Sequence, residues 1–275
     1  MPTTAKLLFR PEVLHLDLSS FQLPERATAL GPKLAQWAEM IASGRIDSFK
    51  ERELLPRFLS DFFYGILGYA GPDESPDRYT ISLEKLVEVD GNFADTVIGN
   101  FLPSSQQYLI ALEGKGPKDP LDRPFAGRRM SAVDQGYRYA INLPCDWIIV
   151  TSMRQTRLYH KGSDQYTYER FDTEKLASDD NLLKQFVFLL GAERVAPQSG
   201  QCHLYDLLNA SEAHGRELSK AFYLLSYVKA GIPEGELGVK QKGLSSAPCC
   251  GSSITTRSRT RWPTWAGRMR SGESS

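Results

Sequence analysis

The 275-residue sequence predicts a mixed α/β fold with a central β-sheet flanked by helices. Three observations carry this reading. Helical periodicity marks both ends of the chain, six strand-like runs crowd the middle, and a single helical pattern lies among those runs. Helices, strands, a helix, strands and helices, in that order, do not make a strictly alternating doubly wound fold. Apolar residues are 41 % of the chain and aromatics 11 %, enough for a sizeable core.

Residues 26–43 place Leu30, Leu34, Trp37, Ala38 and Ile41 on one helical face. The next helix runs through "IDSFKERELLPRFLSDFFYGILGYAG", with Asp47 or Ser48 as its cap and Gly68 and Gly71 at its end. Pro56 falls near a first turn or at a kink. Phe58, Leu59, Phe62, Phe63, Ile66 and Leu67 form a wide apolar stripe, that of a core helix. "GPDESPDR" is a loop. The strand runs are "TISLEKLVEV", "ADTVIGNF", "QYLIALEGKG", "WIIVTSM", "TRLYHKG" and "YTYERF". The helix among them is "SAVDQGYRYAINL", with Ser131 as N-cap and Val133, Tyr137 and Ala140 on one face. "DDNLLKQFVFLLGAE" and "LYDLLNASEAHGRELSKAFYLLSYVKAG" return to helical spacing.

From Gly243 onward Ser, Thr, Arg, Gly and Pro dominate, with five arginines against one glutamate. Such a segment buries too little apolar area to offset its chain entropy, so a disordered tail is expected. The abrupt change in composition also suggests out-of-frame translation or a truncated chain. The organisation expected is a helical segment over 1–45, a main domain over 46–235 and this tail over 236–275.

Formal net charge is +0 and pI about 6.9, which does not argue for a dedicated nucleic-acid binder, though a local basic groove remains compatible. No apolar run reaches the ~20 residues of a membrane span, and the charged N-terminus does not suit a signal peptide. Cys145, Cys202, Cys249 and Cys250 match no zinc spacing. These features point to a cytoplasmic chain with free thiols. His15, His160, His203 and His214 are scattered.

The stretch "YLIALEGKGPKD" carries the chemistry. Side chains alternate along a strand, so Glu113 and Lys115 share a face with Leu109 and Ala111, while Ile110 and Leu112 cover the other. A run apolar on both faces suggests a central strand, and "GPKDP" ends it. Two charges then sit half desolvated at the rim of a sheet, which costs energy unless they are paired or bind something. One reading is a plain Glu–Lys pair on a strand rim. The other is a site for a hard divalent cation such as Mg²⁺. In the second, Asp95 lies at the same end if "DTVIGNF" and "YLIALEGK" pair as a hairpin. Asp95, Glu113 and the Gly114 carbonyl then hold the ion. Lys115 stands beside an attacking water, to position or deprotonate it and to offset developing negative charge.

Asp95, Glu113-Gly114-Lys115 and the following Gln135-Gly136-Tyr137-Arg138-Tyr139 resemble the PD-(D/E)XK nuclease superfamily. The ordered series "ALEGKGPKDPLDRP", "VDQGYRYA", "WIIVTSMRQTRLY" is similar to the N-terminal nuclease region of type IIG/IIL restriction enzymes, over residues 50 to 230. The resemblance implies a restriction-endonuclease-like fold and a Mg²⁺-dependent endonuclease acting on double-stranded DNA. It makes Asp95 and Glu113 metal ligands, Lys115 the catalytic lysine and Gln135 a residue that orders the site or contacts the backbone near the scissile bond; Tyr139 is assigned packing. Ala94 replaces the motif's proline. The superfamily often adds an acidic residue from the first helix, for which Glu51, Glu53 and Asp61 are candidates. Lys118, Arg123, Arg128, Arg129 and Arg138 are candidates for a phosphate-lined groove.

Methyltransferase motifs are missing from the sequence, so S-adenosylmethionine binding is not expected and target recognition falls to regions encoded separately. A transient homodimer is expected for cutting both strands. The alternative class is a catalytically silent DNA-binding or assembly module that keeps the nuclease fold.

Overall fold

The computed structural model describes residues 5–87, 92–125 and 127–229. The expected tail over 236–275, with Cys249 and Cys250, lies outside the described residues. The chain divides into a unit Met1–Ser219 and a unit Lys220–Ser275; everything below concerns the first.

Six strands form one sheet in sequence order: β1 (Tyr79–Val87), β2 (Asn92–Leu102), β3 (Ser105–Gly114), β4 (Trp147–Thr151), β5 (Gln155–His160) and β6 (Glu169–Asp172). All neighbours are antiparallel except β3 and β4. A parallel pair requires a crossover, and helix α5 (Ala132–Asn142) supplies it. Two antiparallel meanders are thus joined through one helix, the mixed α/β architecture that the order of patterns predicts. The strand β3 is central, and from Leu109 to Gly114 it is fully buried.

The sheet is covered on both faces. One face, with Ile98, Ile110, Leu112, Ile149 and Leu158, packs into a core shared with the helices α1 (Pro11–Ser20), α3 (Gly31–Ala42), α4 (Glu51–Phe58) and α6 (Asp180–Leu190). The helices before residue 45 contribute Leu14, Leu34, Trp37 and Ile41 to that same core. The other face, with Val97, Ala111, Ile148, Val150 and Tyr159, packs against Val133, Tyr139 and Ala140 of α5. Ser131 caps α5 as its sequence predicts, its hydroxyl accepting the Asp134 N–H at 3.0 Å.

Several local expectations are corrected. The helix expected over 26–43 is two, α2 (Glu25–Ala29) and α3, broken at Leu30. Pro32 in the first turn of α3 explains the break, because proline lacks the N–H that would continue the earlier helix. The cap of α4 is Lys50, whose N–H donates to Glu53 Oε2 at 2.7 Å. Asp47 instead pairs with Arg154 at 2.7 Å, a long-range partner that competes with local capping. Past Pro56 the helix widens into a π-helical stretch, Leu59–Ile66, where the Leu67 N–H reaches Phe62 O five residues back. Its apolar stripe is buried as predicted. Leu109 joins Ile110 and Leu112 rather than Ala111. The register of β2 and β3 shifts between Ile98 and Gly99, so Tyr108 and Ile110 bracket an extra residue and strict alternation fails there.

Candidate metal centre at the end of strand β3

The antiparallel register places Thr96 against Leu112, so one residue further Asp95 faces Glu113 across the β2–β3 ladder. Both lie on the α5 face of the sheet, in line with Val97 and Ala111. The Asp95 carboxylate accepts the Gly114 N–H at 2.8 Å through Oδ2. Glu113 is completely buried and Lys115 nearly so at 5 % exposure. The Lys115 ammonium is ion-paired with Glu113 Oε1. Lys115 leaves the strand with its own N–H donating to Thr151 O of β4 at 2.8 Å. The convergence of Asp95, Glu113 and Lys115 at one strand end is therefore a matter of ladder register.

Glu113 Oε2 is buried and has no hydrogen-bond partner. A carboxylate oxygen stripped of water without a donor is expensive. Burial, and after it the Asp95 charge, raise the pKa of Glu113 against the opposing Lys115, to about 8 in all. Burial also raises the pKa of Asp95, against the Gly114 N–H and Lys115, which lower it.

Among the three first-helix acids, the structure separates one from the others. Glu51 contributes charge at both Asp95 and Glu113. Glu53 is occupied by the helix cap. Asp61 accepts Trp37 Nε1 at 2.9 Å and lies between Lys33 and Arg57, so it braces the helices. Packing explains the position of Glu51. A Cβ on Gly114 would stand 2.5 Å from Leu55 Cδ2, so glycine there lets Leu55 close over the strand end without shifting. Glu51 is one turn before Leu55 on the same side of α4.

A second close approach seats α5. A Cβ on Gly136 would be 2.8 Å from Ile148 Cγ2 and 3.9 Å from Glu113 Cβ. The helix thus lies directly over β3 and β4. Its Gln135 donates from Nε2 to the Tyr139 hydroxyl at 2.6 Å, and Tyr139 is buried in the adjoining core. Tyr139 feels the charges of Glu113 and Asp95. Gln135 therefore reaches this region through the tyrosine, which has a hydrogen-bonding as well as a packing role.

The loop after Lys115 is tied down at several points. Arg154 donates to Pro117 O at 3.2 Å, and the buried Arg157 forks onto Asp122 at 2.6 and 3.0 Å. Arg128 bridges Glu51 at 3.3 Å and Asp119 at 3.2 Å. Lys118, Arg123 and Arg129 are exposed. Away from the site, half-buried His203 has its pKa lowered to about 4 by desolvation and hydrogen-bonds Leu189 O.

The donor chemistry fits a hard divalent cation: two carboxylates at one strand end, one of their oxygens buried and unpartnered, and an ammonium beside them. Among the described residues no group of three or more His, Cys, Asp or Glu side chains stands at metal-holding spacing. The site thus offers two carboxylates in contact with the strand end and Glu51 at the margin. Of the earlier candidates, Glu51 could not be ranked from sequence, because its place depends on Leu55 meeting Gly114. No signal in the sequence marks Leu55 itself.

Comparison with known protein families, characterised proteins and solved structures finds no match to this chain. Among the described residues no helix is long and apolar enough to cross a membrane.

Proposed function

We propose that this chain is the nuclease part of a Mg²⁺-dependent DNA endonuclease of the restriction-modification type, hydrolysing phosphodiester bonds. The observation that supports it most directly is the unpartnered Glu113 Oε2, buried beside Asp95 and Lys115. Asp95 and Glu113, with the Gly114 carbonyl, are the groups that would hold the ion. When bound, Mg²⁺ supplies Lewis-acid stabilisation of charge on the phosphate. Lys115, nearly buried and on a fixed strand end, orients an attacking water and offsets negative charge developing at phosphorus. Asp95 holds the strand end through the Gly114 N–H, which keeps the two carboxylates in register. Gln135 fixes the Tyr139 hydroxyl on the α5 side. Recognition and methylation would fall to regions other than this one, and paired copies would cut both strands.

The test is incubation of the purified chain with supercoiled plasmid and Mg²⁺ beside Lys115→Ala. Nicking by the natural chain, reduced at least about a hundredfold in the variant, is expected. Equal nicking by both overturns the mechanism. DNA binding without nicking by the natural chain replaces it with a silent binding module.

A further inference from the structure

Next to the carboxylates lies a groove of about 300 Å³ that shares Glu51 with them. Its lining joins two stretches distant in sequence, Phe49 and Lys50 before α4, and Lys118, Phe125 and Arg128 from the loop after Lys115. Phe49 is 40 % exposed and Phe125 42 %. Single exposed apolar residues are ordinary. Here two phenyl rings border one small groove together with three cationic side chains, Lys50, Lys118 and Arg128, and two carboxylates, Glu51 and Asp119.

We propose that this groove is a subsite for one unpaired nucleotide adjacent to the scissile phosphate, so that the chain prefers DNA locally opened at the cut. The proposal rests on the hydrolytic reading of the neighbouring carboxylates. A nucleotide presents a flat apolar base and an anionic phosphate, and the groove offers an aromatic surface and cations side by side. Base faces inside a continuous duplex are covered by their neighbours, so away from the duplex ends an unpaired base is the one that can stack on a phenyl ring. The volume is at the low end for small-ligand pockets, a scale suited to one nucleotide and not to a duplex. Arg128 is placed between the two regions by its bridge from Glu51 to Asp119. A phosphate arriving there would meet Lys50 and Lys118, and would take the guanidinium only by displacing one of its two carboxylates.

The experiment measures binding of the full chain, in EDTA, to a labelled blunt duplex and to the same duplex carrying one unpaired 2-aminopurine nucleotide. The natural chain is expected to bind the second DNA more tightly and to quench the 2-aminopurine fluorescence. Phe49→Ala and Phe125→Ala are each expected to weaken that binding about tenfold, leaving the blunt duplex unaffected, with Phe→Trp at either position restoring it. Equal affinity for the two DNAs, or alanine variants that keep the preference, overturns the subsite, as does failure to bind either DNA. Plasmid nicking with Mg²⁺ is scored separately. Nicking without the preference leaves the hydrolytic reading and removes the subsite; the preference without nicking leaves a nucleotide site but removes the hydrolytic reading and with it the placement beside a scissile phosphate.

Discussion

Leu55 of α4 closes over Gly114 of β3 in a space that leaves no room for a Cβ. This contact fixes how far α4 extends past the strand end and so brings Glu51 near Asp95 and Glu113. Gly114→Ala is expected to destabilise the fold by about 1 kcal/mol, the lower end of overpacking costs, because the obstructing atoms are the movable tips of a leucine. Leu55→Ala alone leaves a cavity and also destabilises. The double variant should be more stable than the sum of the two effects implies, and urea unfolding of all four proteins measures that coupling.

Burial of Glu113 links stability to pH. Its pKa rises from 4.5 to about 8 on folding, so the folded chain holds a proton there that the unfolded chain has released. The stabilisation from that proton is complete below about pH 4.5 and is lost as pH climbs towards 8. Glu113→Gln, which cannot ionise, should flatten this decline and gain most at the upper end of the window. Urea midpoints across pH 5 to 9 test it; parallel profiles for the two proteins contradict it.

Asp95→Asn keeps an oxygen that can accept the Gly114 N–H, so the fold should tolerate it with little loss. The substitution removes a negative charge that raises the Glu113 pKa, and the Glu113 titration should move below about 8. Carboxyl NMR of the variant reads this shift directly. Plasmid nicking should disappear with the charge, because one of the two carboxylates for the ion is gone.

Cation binding should release a proton. An ion placed on the Glu113 carboxylate needs the charged form, so affinity for Mg²⁺ should rise with pH by up to about tenfold per unit below the Glu113 pKa. Calorimetry in buffers of different ionisation enthalpy counts the proton, and Glu113→Gln should abolish both the binding and the release. Pairwise binding enthalpies independent of buffer would contradict the assignment.

Much of this was legible before any coordinates. The two-residue period from Ile110 to Lys115 places Glu113 and Lys115 at the end of a doubly covered strand, and Ser131 announces α5 through its cap. Capping and alternation depend on residues a few positions apart, which is why they can be read from the chain. The break at Leu30 and the cap at Lys50 escape local periodicity, since Pro32 and the Asp47–Arg154 pair outweigh it.

The sequence by itself determined the strand carrying Glu113 with Lys115 just past its end, the helix carrying Gln135 and Tyr139, and the mixed order of elements. Only the tertiary structure decided that Asp95 faces Glu113, that Glu51 rather than Glu53 or Asp61 comes to the site, and that Glu113 lies fully dry. The physical reason is that ladder register, helix-on-sheet contact and burial depend on groups far apart in the chain. Leu55 meeting Gly114 is fixed by packing, and no local pattern encodes it.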